Sequence, residues 1–192
     1  HLSLYPEKQY FVDFCNKFKI SKGEVKFWRT EFLMCNPVLH ISGMIDCLLH
    51  DTKSDTYIII DYKRMKNGLT RDPKNPRKPV HELSSKSRGQ IFPAFTALRN
   101  NNENKYGCQL TLYKNLFESM FPSKKISGMF LVVVDSEKLG SPLALEFVEI
   151  PLQKYQDCID AAFAARAQEI LSNHEDNLPS ELVHDLLKFI PK

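Results

Sequence analysis

The chain has 192 residues, of which 43% are hydrophobic and 11% aromatic, enough to fill the core of one globular domain. Its formal net charge of +3 is only mildly basic and does not by itself indicate a nucleic-acid-binding protein. No apolar run approaches the roughly 20 residues of a membrane span, and no signal peptide is evident. The composition therefore predicts one domain over residues 1–192, with no membrane partner.

The five cysteines are dispersed, with no Cys-x-x-Cys pair among them. An odd, scattered set favours reduced thiols in an intracellular, reducing compartment over a disulfide framework, a zinc site or an iron–sulfur centre. The chain starts at His1 rather than at Met, which we interpret as a processed form or an excised domain.

The first half of the chain predicts a helix followed by three strands. Apolar residues recur at helical spacing from Pro6 to Phe18, with the proline in the first turn. Strand patterns follow over residues 25–34, from about Val38 to His50 and from about Thr56 to Lys63. The connections between them are short, and "HDTKSD" has the composition of a turn. The pattern therefore predicts an antiparallel meander.

The second half predicts a basic loop and then alternating helices and strands. Between Arg64 and Arg88 eight Lys and Arg residues face two acids, with three interrupting prolines, which predicts an irregular, flexible loop over about residues 64–90. The later patterns predict a helix over 104–121, strands over 126–135 and 144–150, a helix opening on Pro151, and a last helix capped by Ser180. The fold class predicted is α/β, with a mixed sheet.

Charged side chains stand where apolar strand residues are expected. Asp46 follows "SGMI" in the second strand, and Asp61 follows "YIII" in the third, with Lys63 two residues later. Positions two apart share a strand face, and neighbouring carboxylates repel each other unless a cation lies between them. Oxygen ligands favour Mg²⁺ or Mn²⁺, and Glu31 of the first strand is placed to supply a further carboxylate. The alternative is that each of these residues is a solvated strand end.

Three motifs in order, "GMID", "IIIDYK" and the helical "QLTLY", resemble the RecB-like branch of the PD-(D/E)XK nuclease superfamily. That branch is marked by a Gly-x-x-Asp strand, an Asp-x-Lys strand and a Gln-x-x-x-Tyr helix. The "WRTE" stretch further resembles a group found in viral and protist proteins and distantly related to mitochondrial genome maintenance exonucleases. The resemblance spans Phe27 to Asp135 and implies a restriction-endonuclease-like αβββαβ core, here with added C-terminal helices.

The resemblance implies a Mg²⁺- or Mn²⁺-dependent deoxyribonuclease, with Lys63 as its catalytic lysine. The metal ligands that it implies are Asp46, Asp61, Glu31 and the backbone carbonyl of Tyr62. Many members of this branch also carry a metal-binding His on an N-terminal helix, but residues 6–20 contain no His. The chain departs from the pattern at that point.

Gln109 and Tyr113 match the helical motif and are also predicted to share one helix face, because they are four residues apart. Gln109 has the chemistry to bind a phosphate, a water or Lys63. Tyr113 has two interpretations, contact with the nucleic acid or packing in the core beside its apolar neighbours.

DNA is the predicted partner, as single strands or duplex ends, and basic residues around the carboxylates would offset phosphate repulsion. The candidates for DNA contact are Arg29, Arg64, Lys66, Arg88 and Lys114. The resemblance also implies a setting in DNA repair and recombination and admits a fused or associated helicase or recombination protein.

Three other functions stay open from the residues alone. One is a catalytically silent domain that binds nucleic acid or acts as a scaffold, although the intact set of Asp46, Asp61 and Lys63 argues against it. Another is an RNA-directed endonuclease with the same site. The third is a phosphohydrolase that does not act on nucleic acid, which the basic loop disfavours.

Overall fold

The computed structural model describes residues 6–65, 71–72, 75–79, 98, 102–135, 138–139, 141, 144–174 and 177–191. The elements, in chain order, are α1 (Pro6–Lys17), a 3-10 helix (Ile20–Lys22), β1 (Val25–Asn36), β2 (Ile41–Asp51), β3 (Thr56–Met65), β4 (Arg71–Asp72), β5 (Asn75–Pro79), α2 (Asn102–Met120), β6 (Ile126–Asp135), β7 (Leu145–Glu149), α3 (Gln156–Asn173) and α4 (Ser180–Leu187). The prediction of a mixed α/β protein is confirmed.

Five strands form one mixed sheet in the order β1-β2-β3-β6-β7. The first three strands pair antiparallel, as the short connections predicted. β6 then pairs parallel to β3, and β7 pairs antiparallel to β6. A parallel pair cannot be joined by a tight turn, and α2 lies within the connection from β3 to β6.

Apolar clusters cover both faces of this sheet. Successive strand residues point to opposite faces, so Ile59 and Leu131 belong to the cluster that includes the apolar side of α2. Ile60 and Val132 belong instead to the cluster that includes Phe14 of α1. The sheet is therefore the middle layer between α1 and α2. By the same alternation, the odd-numbered residues at the end of β3 face α2.

The C-terminal helices pack together beyond the turn between β1 and β2. Leu39 of that turn is fully buried among apolar residues of α3 and α4. The guanidinium of Arg166 on α3 also donates to the Leu39 carbonyl at 3.1 Å. This contact anchors the added helices to one end of the sheet.

Both predicted starts of the C-terminal helices were wrong. Helix α3 begins at Gln156 rather than at Pro151, because residues 152–155 form turns that place the Tyr155 ring against Gly107 of α2. Helix α4 begins at Ser180, but its N-cap is Pro179 and no side chain caps it. Ser180 is therefore the first helical residue instead of the capping one.

The basic stretch after β3 is only partly as predicted. β3 continues to Met65, and the Arg71–Asp72 strand pairs antiparallel with Asn75–Pro79. This short ribbon corrects the expectation of an irregular loop at those positions. Proline is tolerated there because a two-stranded ribbon leaves one edge of each strand unpaired. The prediction for the rest of 64–90 falls outside the described residues.

The described helices include none with the length and hydrophobicity that crossing a membrane requires. All five cysteines are free thiols, and Cys47 of β2 is buried. Burial raises the pKa of the Cys47 thiol to about 11. The thiol is therefore protonated at neutral pH and unreactive as a nucleophile.

Candidate active site at the end of the β2–β3 ladder

Two carboxylates lie where the pairing between β2 and β3 ends. The last pair of the ladder is Cys47 with Ile60, and the next residues along the two strands are Asp46 and Asp61. The Tyr62 backbone N–H donates to Asp46 Oδ2 at 2.8 Å, which holds that carboxylate against the backbone of β3. The structure thus brings the two predicted aspartates to adjacent points of neighbouring strands.

Asp61 is a buried acid whose close partner is the Lys63 ammonium. Its side chain is only 2% exposed, and its Oδ2 accepts no hydrogen bond from any group in the described part of the chain. Burial raises the pKa of Asp61, the nearby Lys63 ammonium opposes that rise, and the charge of Asp46 adds to it. Burying a carboxylate costs free energy that a single ion pair offsets only in part, and groups held at such a cost are frequent at functional sites.

Lys63 is held between Asp61 and an aromatic ring of α2. Its Nζ lies 2.5 Å from Asp61 Oδ2, as an ion pair without the angles of a hydrogen bond. The same ammonium lies 4.7 Å from the centroid of the Tyr106 ring, which is within cation–π distance. Its side chain is 20% exposed, so the charge reaches solvent and remains available to an anion.

The donor chemistry at this point fits a hard divalent ion. Asp46 and Asp61 supply carboxylate oxygens, the Tyr62 backbone carbonyl follows directly on the chain, and no sulfur or imidazole group is among the proposed ligands. The burial of Asp61 beside a second carboxylate, Asp46, is the observation in favour of such an ion, because the Asp46 charge disfavours ionisation of Asp61 and a cation between the two would offset it.

Glu31 occupies a different kind of position from the two aspartates. It lies on β1 between the pairs Thr30–Cys47 and Phe32–Ile45, so the register places it across from Asp46. It is exposed, however, and its φ of 47° interrupts the strand. Among the described residues no three His, Cys, Asp or Glu side chains come close enough to hold a metal ion. The structure therefore gathers two carboxylates and leaves Glu31 outside the group.

The Gly-x-x-Asp and Gln-x-x-x-Tyr motifs are in direct contact. A Cβ at Gly43 would lie 2.5 Å from the Tyr113 ring, so only glycine leaves room for the ring against β2. Tyr113 is nearly buried in the core, and its hydroxyl accepts a hydrogen bond from Gln109 Nε2 at 2.6 Å. This placement agrees with the core interpretation of Tyr113, with Gln109 held on the same helix face.

The predicted DNA-contacting residues differ in where they lie. Arg64 is exposed and lines a cleft of about 230 Å³ together with Lys63. Arg29 is exposed, lies 5.3 Å from the Trp28 ring and donates to the Trp28 carbonyl at 3.0 Å. Lys66 and Arg88 lie outside the described residues.

Lys114 corrects one of these predictions. Its side chain is only 8% exposed, and Nζ donates to Gln156 Oε1 at 2.9 Å. Gln156 also exchanges hydrogen bonds with Asn115, so the lysine belongs to a polar contact between α2 and α3. It was expected on the surface because charged residues usually are, but here a partner on α3 satisfies it.

Two aromatic side chains beside the candidate site were missed from the sequence. Tyr106 has no predicted role, although its ring lies within cation–π distance of the Lys63 ammonium. The side chain of Tyr62 was also overlooked, since only its backbone carbonyl had a predicted role. The adjacency of Tyr62 to the Asp-x-Lys motif was a usable signal, whereas the approach of Tyr106 depends on how α2 crosses the sheet.

A scan of the chain against models of known protein families matches none of them, and a search of curated proteins finds no match. The site therefore stands on its own geometry.

Proposed function

We propose that this protein is a metal-dependent DNA nuclease that hydrolyses phosphodiester bonds, acting on single-stranded or frayed DNA ends. The observation that carries the proposal is the convergence of Asp46, Asp61 and Lys63 at one end of the β2–β3 ladder. Two neighbouring carboxylates with an ammonium group beside them match the requirements of phosphoryl transfer, in which negative charge must be both tolerated and stabilised.

The residues divide into ligands and charge-stabilising groups. Asp46, Asp61 and the Tyr62 carbonyl would hold Mg²⁺ or Mn²⁺, which when bound lowers the pKa of a coordinated water and polarises the phosphate. Lys63 presents its ammonium, fixed against the Tyr106 ring, to the charge that develops on the phosphate oxygens. Arg64 follows on the same strand and is exposed, where it can bind an adjacent phosphate.

The topology gives further support to this proposal. The order α1, β1, β2, β3, α2, β6 agrees with the αβββαβ core that the motif resemblance implies. The contact between Gly43 and Tyr113 also gives a physical reason for the presence of two of the motifs in one chain.

A catalytically silent binding domain is the second candidate, favoured by one specific observation. The Lys63 ammonium already lies against Asp61, so the buried acid is partly neutralised with no metal at all. Isothermal calorimetry with Mn²⁺ separates the two candidates. The nuclease requires binding that is lost in Asp61→Asn, whereas the silent domain shows no such binding.

The direct test is cleavage of end-labelled single-stranded DNA with Mg²⁺ or Mn²⁺. Asp61→Asn and Lys63→Met should each lower the rate by about a hundredfold or more, because each removes a charge at the reacting phosphate. The matched controls are Asp185→Asn and Lys188→Met, which break an exposed Asp–Lys pair of similar length, 2.7 Å, on the last helix. Full activity in both site variants would exclude this mechanism. A parallel RNA substrate tests the alternative nucleic acid.

A further inference from the structure

An aromatic cleft of about 300 Å³ lies between α1 and the sheet, beside the candidate active site. This volume is at the small end of the range for ligand sites in proteins. The residues that line it, all aromatic or aliphatic, are Tyr10, Phe11, Phe14, Tyr62, Val132, Val134 and Leu145. The helix supplies one wall, and strands β3, β6 and β7 supply the rest.

Two rings in this cleft are exposed to solvent. Phe11 is 58% exposed and Tyr62 is 44% exposed, although both are large aromatic side chains. The Tyr62 ring packs against the Phe14 ring, with the centroids 6.0 Å apart, and the backbone N–H of Tyr62 donates to Asp46 Oδ2. Exposed rings that line a concave site are suited to stacking on a planar ligand.

The cleft is continuous with the charged part of the site. A neighbouring cleft of about 230 Å³ shares Tyr62 and Val134 with it and is also lined by Lys63 and Arg64. By strand alternation the side chains of Tyr62 and Arg64 share the face toward α1, whereas the Lys63 ammonium lies against Tyr106 of α2 on the other face. The apolar aromatic surface therefore passes directly to the exposed Arg64 side chain. An aromatic surface next to a cationic one complements a nucleotide, whose planar base is joined to an anionic phosphate.

We infer that the aromatic cleft binds an unpaired base of single-stranded nucleic acid, next to a phosphate bound by Arg64. This inference rests on the proposed function. It deepens that proposal by naming the feature that selects single-stranded over double-stranded nucleic acid. A base stacked and paired in a duplex cannot enter a cleft between a helix and a sheet, whereas a base in a single strand or a frayed end can. Tyr62 then serves two purposes, with its backbone at the carboxylates and its ring at the base.

The test is a binding measurement that does not depend on catalysis. A fluorescent oligothymidylate and an oligonucleotide of the same length with abasic positions are titrated with the whole chain in EDTA, so that nothing is cleaved. Wild-type protein should prefer the oligothymidylate by about five- to tenfold. Phe11→Leu, which keeps an apolar side chain but removes the ring, should lose this preference, and Phe11→Trp should retain it.

The matched control is Val12→Ala, which truncates an exposed apolar residue of the same helix that does not line the cleft. It should bind both oligonucleotides as the wild type does. Equal base preference in wild type and Phe11→Leu would overturn the inference. So would self-association of the wild type that Phe11→Leu abolishes without any change in DNA binding, because the cleft would then be an interface between copies.

Failure of this inference can be told apart from failure of the proposed function. Metal-dependent cleavage that needs Asp61, together with an unchanged base preference in Phe11→Leu, would exclude base binding by the aromatic cleft and would support the nuclease proposal. A base preference that depends on Phe11, in a protein that cleaves no DNA with Mg²⁺ or Mn²⁺, would support base binding in the cleft and would exclude the nuclease proposal.

Discussion

Charged and aromatic side chains lie close together at both ends of the β2–β3 pair, but their hydrogen bonding is more complete at the turn end than at the other end. At the turn end, His50 Nε2 lies 2.7 Å from Asp55 Oδ1, and Lys124 Nζ donates to the Tyr57 hydroxyl at 2.7 Å. At the other end, which holds the candidate site, Asp61 is buried with an oxygen that accepts no hydrogen bond from the described residues.

Each end also has a lysine over a tyrosine ring, at 4.9 Å for Lys124 with Tyr57 and at 4.7 Å for Lys63 with Tyr106. Lys124 completes its environment with the hydroxyl of that same tyrosine, whereas Lys63 has a buried carboxylate as its other partner. The same pair of strands therefore carries fully paired side chains at the turn and a buried acid paired with one ammonium at the candidate site. A buried charge that costs free energy locally is characteristic of functional positions.

The largest expected effect comes from replacing a glycine with alanine, a change that can be compared at the two ends of the β2–β3 pair. Gly43→Ala should lower the free energy of unfolding by about 2–3 kcal/mol and also slow cleavage, because its Cβ would lie 2.5 Å from the Tyr113 ring. Gly128→Ala on β6, near the turn end, meets the Phe130 ring at 3.0 Å and should cost only about 1 kcal/mol.

Urea denaturation and cleavage rates measure both effects. Gly128→Ala is the control for a methyl group placed away from the site, so it should leave cleavage unchanged. If the two variants lose cleavage activity to the same extent, the close approach of Gly43 and Tyr113 has no specific role in the site.

The second prediction compares the two lysine–aromatic pairs. Tyr106→Leu should slow cleavage about fivefold, the equivalent of about 1 kcal/mol, because Lys63 loses the ring that holds its ammonium. Tyr106→Phe should keep nearly full activity, since the ring is retained. Lys124→Met at the turn end should not change the rate. Cleavage rates under single-turnover conditions are the measurement, and equal rates in Tyr106→Leu and Tyr106→Phe would argue against a positioning role for the ring.

The third prediction concerns the turn end alone. Tyr57→Phe removes the hydroxyl that accepts the Lys124 hydrogen bond and should lower the free energy of unfolding by about 0.5–1 kcal/mol. Cleavage should be unaffected, because the change is at the far end of the strands. Thermal and urea denaturation provide the measurement, and a marked loss of activity at unchanged stability would show that the two ends are coupled.

Much of the fold was predictable because its signals are local. The apolar runs of β3 and β6, the turn composition after His50 and the helical spacing of α1 each depend on a few adjacent residues. The start of α3 at Gln156 depends on packing instead, since the ring of Tyr155 occupies the space beside Gly107.

The residues of the candidate site were likewise predictable where their signals are local. Asp61 and Lys63 share a face through strand periodicity, and Asp46 reaches them through the register of a short turn. The burial of Lys114 and the approach of Tyr106 to Lys63 follow from how α2 lies against the sheet and α3. Such contacts between elements distant in the chain have no local pattern.

The smallest expected effect is in the pH dependence of stability, where the two ends should differ in sign. Burial raises the pKa of Asp61 above its ordinary 3.8, so the native protein holds this proton more tightly than the unfolded chain. Asp61 therefore favours folding most at low pH, and this contribution is lost as the pH rises through its folded-state pKa. At the turn end the backbone N–H of Lys53 lowers the pKa of Asp51, whose contribution is present above its unfolded pKa and is lost as the pH falls.

Urea denaturation of the metal-free protein in EDTA, from about pH 4 to about pH 7, measures this contrast. The difference in unfolding free energy between Asp61→Asn and wild type should increase with pH, because the variant removes a charge that burial disfavours. The same difference for Asp51→Asn should decrease with pH, because that variant removes a charge that the backbone stabilises. Slopes of equal sign would mean that Asp61 is as well satisfied as Asp51, and the contrast between the two ends would then be lost.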